Sequence, residues 1–98
     1  MNINKTTHDS TLKIALEGRL DTTTAPRLEA ELKQSIADNT ELILDFAKLE
    51  YLSSAGLRVL LAAQKIMNKQ GKMVIQNVND VIAEVFEATG FADILTIE

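Results

Sequence analysis

The chain contains no cysteine and no tryptophan, one histidine, one proline and four glycines. Without cysteine, disulfides and thiolate metal sites are ruled out. His8 alone leaves no histidine-rich metal cluster and no second imidazole for a proton relay. Gly18, Gly56, Gly71 and Gly90 stand apart from one another, so neither a P-loop nor a dinucleotide-binding fingerprint can be drawn, and no cofactor is expected. The ten Lys and Arg residues form no run and the formal charge is −4. Both facts argue against nucleic-acid binding, which draws on clustered cations. The longest unbroken apolar run, Val59–Ala63, is far short of a membrane span, and the opening MNINKTTHDS lacks the apolar core of a secretory signal. The expectation is a cytoplasmic protein with no direct membrane insertion.

What is present is an ordinary globular composition, 46% hydrophobic and 24% charged over 98 residues, sufficient for one domain (1–98) with a modest core. Met1–Thr7 alternates polar and apolar residues and fits a first edge strand. Thr11–Glu17 alternates Leu12, Ile14 and Leu16 against polar neighbours, a half-buried strand, with Gly18–Asp21 as its exit loop. Thr22, Thr23 and Thr24 offer side-chain caps to a helix from about Thr24 to Ala37, with Pro26 in its first turn. Glu41–Ala47 reads as a central strand, Ser54–Gln70 as a second helix with Gly71 at its end, and Lys72–Asn77 as a further strand. Asn79 or Asp80 can cap a third helix closed by Gly90, and Phe91–Ile97 supplies a last short strand. The order β-β-α-β-α-β-α-β implies an α/β fold: a mixed, largely parallel sheet of four or five strands with about three covering helices.

Tyr51–Gly56 (YLSSAG) holds two hydroxyls and a glycine where strand gives way to helix. Ligands of open α/β folds gather on this side of the strands, and helix amino termini favour negative charge. One serine can cap the helix while the other projects: if Ser53 caps, Ser54 is the first helical residue, with small Ala55 and Gly56 beside it. Hydrolytic catalysis by Ser54 is not supported, since Leu52 stands where the nucleophile elbow G-x-S-x-G needs its first glycine and no base is placed nearby. Asp21 and Asp45 both fall near expected strand ends. They read either as turn and capping carboxylates or as neighbours of Ser54 that polarise its hydroxyl or hold a divalent ion. Arg58, Lys65 and Lys69 mark the solvated face of the second helix, with Arg58 close enough to the serine turn to touch a partner.

Leu42–Leu61 (LILDFAKLEYLSSAGLRVLL), Glu17–Ala25 (EGRLDTTTA) and Val85–Phe91 (VFEATGF) resemble, in order, three motifs of the STAS domains, named from sulphate transporters and anti-sigma factor antagonists. The resemblance spans almost the whole chain and is strongest to the free-standing bacterial antagonists. It implies a non-enzymatic module in a partner switch. Ser54 would accept phosphate from a serine-kinase anti-sigma factor, and a PP2C-type serine phosphatase would remove it. Asp21 and Thr22, with Asp45, would lie near the acceptor; Ser53, Ala55, Gly56, Leu57 and Arg58 would contact the kinase. Ser53 stands where the family often has aspartate, so Ser53 is a second candidate acceptor. An alternative within the same resemblance is a STAS subunit of an ABC-type lipid transport complex, using the same helix face without a phosphate cycle. A nucleotide-binding role would rest on fold analogy alone.

Overall fold

The computed structural model describes residues Met1–Glu98. Four strands, β1 (Asn2–His8), β2 (Thr11–Leu20), β3 (Glu41–Leu52) and β4 (Lys72–Gln76), lie in the order β1-β2-β3-β4. β1 and β2 form an antiparallel hairpin over Asp9-Ser10, with Asp9 at φ 53 in the left-handed region that short turns use. β2, β3 and β4 run parallel, joined by helices α1 (Ala25–Ser35) and α2 (Ser54–Gln70). Helix α3 (Asp80–Thr89) follows β4.

Because each parallel connection steps one strand in the same direction, crossovers of a single hand place every helix on one face of the sheet. The core shows this arrangement. Leu12, Ile14, Leu16 and Leu20 of β2, with Leu42, Leu44, Phe46, Leu49 and Leu52 of β3, share one cluster with Leu28, Leu32, Leu57, Leu60, Met67, Ile82 and Phe86 of the helices. Phe46 meets Phe86 with ring centroids 6.5 Å apart. The opposite sheet face is mostly polar, apart from Ala15, Ile43 and Val74, and carries cross-strand ion pairs, Glu41 with Lys72 at 3.2 Å and Glu17 with Lys48 at 4.0 Å.

β3 runs to Leu52, five residues past the end expected at Ala47. The alternation Leu42, Leu44, Phe46 gives way to three-residue steps, Leu49 and then Leu52, at two register shifts against β2. Each shift inserts an extra residue into β3, so the buried positions stay on the core side while the simple two-residue period is lost. β2 likewise continues through Gly18, at φ +104, to Leu20 instead of stopping at Glu17. At the carboxyl end the expected fifth strand is reduced to a single bridge: Phe91–Asp93 is a 3₁₀ turn, and only Ile97 pairs with Ile75. The end of α1 also tightens into a 3₁₀ turn at Ile36–Asp38, and the carbonyls of Ile36 and of Asn39 just after it receive the Gln70 amide at 2.7 Å each.

Candidate functional site

Two loops meet at the carboxyl end of β2 and β3. Leu20 pairs with Leu52, and one residue later the Ser53 amide donates to the Leu20 carbonyl at 2.9 Å. The loop entering α1 and the turn entering α2 are therefore held side by side by a main-chain bond.

In the α2 turn the two serines divide their tasks. Ser53 has extended backbone, φ −95 and ψ 173, and its Oγ accepts the Gly56 amide at 3.3 Å. This is N-cap geometry, and it occupies the Ser53 oxygen. Ser54 is the first helical residue, exposed, and its hydroxyl takes part in no hydrogen bond of the chain. The amides of Ser54 and Ala55 are left as open donors at the positive end of a 17-residue helix with no acidic residue in its first turn. Ala55 is half-buried and Arg58 exposed. Gly56 and Leu57, expected to face a partner, are buried instead. A Cβ on Gly56 would sit 2.8 Å from both Leu20 Cγ and Leu52 Cδ1, so this glycine lets the helix start descend onto the sheet.

Asp21 organises the neighbouring loop. Its Oδ1 accepts the Thr23 amide at 3.0 Å, the Thr23 hydroxyl at 2.8 Å and the Thr24 amide at 3.1 Å. The capping role expected of the threonines thus falls to Asp21, a residue type that readily bonds the backbone two and three residues ahead. Thr24 occupies the N-cap position without a capping bond, and its Oγ donates to the Arg19 carbonyl at 2.7 Å while accepting the Asp21 amide at 2.8 Å. The Thr23 hydroxyl foremost, helped by the Thr23 and Thr24 amides, holds the Asp21 carboxyl below its ordinary pKa, although desolvation, the next largest influence, acts in the opposite direction. Thr22 is exposed and borders, with Pro26, Glu29, Ala55, Arg58 and Val59, a groove of about 220 Å³ between α1 and α2.

Asp45 does not belong to this rim. It pairs with Ala15 and Gln76 in the middle of the long β3, seven residues before Leu52 and so about 20 Å down the strand at ~3.3 Å per residue. Its Oδ1 accepts from the Asn77 side chain and the Ala47 amide, each at 3.0 Å. These two bonds, the Asn77 one foremost, lower its pKa. Asp45 pins the exit of β4, where Asn77 is at φ 61, and cannot share a cation with Asp21. His8 pairs with Thr11 at the opposite end of β2 and offers no base to Ser54.

Arg19 and Tyr51 were not singled out by their sequence pattern, yet they flank the site. The Arg19 guanidinium lies 4.1 Å from the Tyr51 ring centroid, and its Nε lies 3.6 Å from Asp21 Oδ2. A tyrosine two residues before the serine pair was the available signal.

The STAS domain model matches residues 2–98. The chain belongs to the STAS domain family. Among its relatives is BtrV of Bordetella bronchiseptica, assigned by name to the anti-sigma factor antagonists, at 37% identity over 91% of this chain and 78% of that one. The anti-sigma-B factor antagonist of Staphylococcus aureus is 31% identical over 99% of this chain and 92% of the other. In structure, the STAS chain superposes on unphosphorylated SpoIIAA with a TM-score of 0.85 at 20% identity, covering 99% of this chain and 88% of that one. An anti-sigma factor antagonist from Mycobacterium paratuberculosis gives 0.88 at 24% identity, covering 98% and 83%. No helix of this STAS domain is long and apolar enough to cross a membrane.

Proposed function

We propose that this STAS domain is an anti-sigma factor antagonist that works by partner switching in the cytoplasm, with Ser54 as phosphoacceptor. The observation that carries the choice of residue is the division between the serines: the Ser53 oxygen is engaged by the Gly56 amide, whereas the Ser54 hydroxyl is exposed and unbonded. A kinase reaching Ser54 need break no internal bond. The names of the relatives support the antagonist role.

The unmodified chain binds a serine-kinase anti-sigma factor and so frees the sigma factor. In the kinase's site the Ser54 Oγ attacks the γ-phosphorus of ATP, the bond to ADP breaks, and the hydroxyl proton passes to a base of the kinase. The chain itself performs no catalysis. The phosphate adds about −1.5 to −2 charges at a surface that docking must desolvate, and repulsion and dehydration then release the partner. A PP2C-type phosphatase resets the switch. Asp21 and Thr22 border the acceptor, and Ala55 and Arg58 offer the accessible contacts, whereas buried Gly56 and Leu57 act by shaping the turn.

Incubation with the cognate kinase and labelled ATP is expected to phosphorylate the wild type and leave Ser54→Ala unlabelled. Equal labelling of Ser54→Ala would move the acceptor to Ser53. Absence of labelling together with co-purification of ABC-type subunits would replace this reading by the transport one.

A further inference from the structure

A phosphate on Ser54 meets the open amides at the start of α2, and a cation within reach would neutralise it further. Of the cations at this end of the molecule, Arg19 is committed to Asp21 and Tyr51, and Lys48 to Glu17. Arg27 donates to the Met1 carbonyl at 2.8 Å. Arg58 makes neither an ion pair nor a hydrogen bond, is exposed, and stands four residues after Ser54 on α2. Residues four apart lie on one helix face with Cβ atoms roughly 5–6 Å apart, and helical side chains lean toward the amino terminus. That spacing puts the turn that begins with Ser54 within reach of the guanidinium. Its fork of donors suits two phosphate oxygens at once.

Resting on the reading of Ser54 as phosphoacceptor, we propose that Arg58 closes over the Ser54 phosphate as an intrahelical clamp, so that the modified monomer neutralises its own phosphate. The switch then has two halves. Phosphorylation adds negative charge to the docking surface and simultaneously withdraws the one uncommitted cation there from the partner. In the unmodified chain Arg58 is free, at the mouth of the groove between α1 and α2, to meet an acidic group on the anti-sigma factor. In the modified chain it is held by the phosphate.

The clamp is read from the second ionisation of the phosphoserine. The charged groups around the position are Asp21 and Arg19 from the β2 side, Glu29 from α1, and Arg58 from α2 itself, whose first turn contributes no acid. Only Arg58 is altered between the samples, so a difference reports its charge. Phosphoserine is installed at position 54 during translation, without any kinase, and the ³¹P resonance is titrated in the otherwise wild-type chain, in Arg58→Gln and in Arg58→Lys. The wild-type midpoint is expected below that of Arg58→Gln by about half a pH unit or more, because a neighbouring cation favours the dianion. Arg58→Lys should fall between them, which a purely steric role of the side chain would not produce. Coincident midpoints for wild type and Arg58→Gln would overturn the clamp. Failure of a kinase to label Ser54 would instead count against the phosphoacceptor reading and leave this titration unaffected.

Discussion

The Ser53 amide and the Leu20 carbonyl, 2.9 Å apart, join the loop that enters α1 to the turn that enters α2. Through this bond the Asp21 turn and the Ser53-Ser54 turn form one surface, although the residues are more than thirty positions apart in the chain. The Ser53 side chain then seats the helix and leaves Ser54 free.

Replacing Ser53 by alanine removes the cap and is expected to cost about 1 kcal/mol of stability. Ser53→Asp keeps a capping oxygen and adds a charge that suits the helix start, so its stability should equal or exceed the wild type. Urea denaturation of the two variants measures both. Kinase labelling of Ser54 should survive in Ser53→Ala, since the acceptor hydroxyl is untouched.

Ser54→Asp is expected to fold as well as the wild type, because a carboxylate at the first turn of α2 meets open amides. Its affinity for the kinase should fall tenfold or more, about 1.4 kcal/mol of binding free energy. Calorimetric titration against the kinase gives the comparison, and unchanged affinity would remove the electrostatic gate.

Gly71 has extended backbone, φ 173, so its requirement is one of space and not of conformation. A Cβ there would fall 1.7 Å from the Thr40 carbonyl oxygen, main chain that itself accepts the Lys72 amide at 3.0 Å. Gly71→Ala must therefore push apart the entries of β3 and β4. A loss of roughly 3 kcal/mol, or failure to fold, is expected, since backbone yields less than a side chain. Gly56→Ala meets only Leu20 and Leu52 side chains and should be the milder of the two in the same thermal melt.

Asp21 and Asp45 both have lowered pKa values in the folded chain. Each therefore contributes stability that is fully present above the unfolded carboxylate pKa of about 3.9 and is lost as the pH falls through the lower folded value. Stability should be flat between pH 5 and 7 on this account and decline below about pH 4. Asp45→Asn lacks this titration, so its unfolding free energy should start lower at neutral pH and fall less steeply in acid. Parallel acid limbs for Asp45→Asn and wild type would show that the Asn77 and Ala47 bonds do not stabilise the carboxylate.

The alternation of Leu12, Ile14 and Leu16, the helical spacing of Leu57, Leu60 and Met67, and the capping types at Ser53-Ser54 and Asn79-Asp80 are local patterns legible from the chain alone; which residue of each pair caps, Ser53 and Asn79, came from the structure. The local patterns sufficed for the element order through α3, though not for the expected last strand, and for the serine turn and the STAS resemblance. Gly90 ends α3 at φ 80 as its position after the last helical turn implied. Asp45 shows where local reading stopped. Its rank near a strand end depended on β3 ending at Ala47, whereas pairing with β2 carries the strand through two inserted residues to Leu52. Gly56 and Leu57 look like surface beside an exposed serine, yet Leu20 and Leu52 enclose that glycine.

Residue order determined which segments became strands and helices, because backbone preference and hydrophobic period act over a few neighbours. Only the assembled sheet decided that Asp21 lies beside the serine turn while Asp45 lies far below it, and that Arg58 alone among the nearby cations stays unpaired. Those outcomes depend on strand register and on contacts between residues distant in the chain, which no short window of sequence contains.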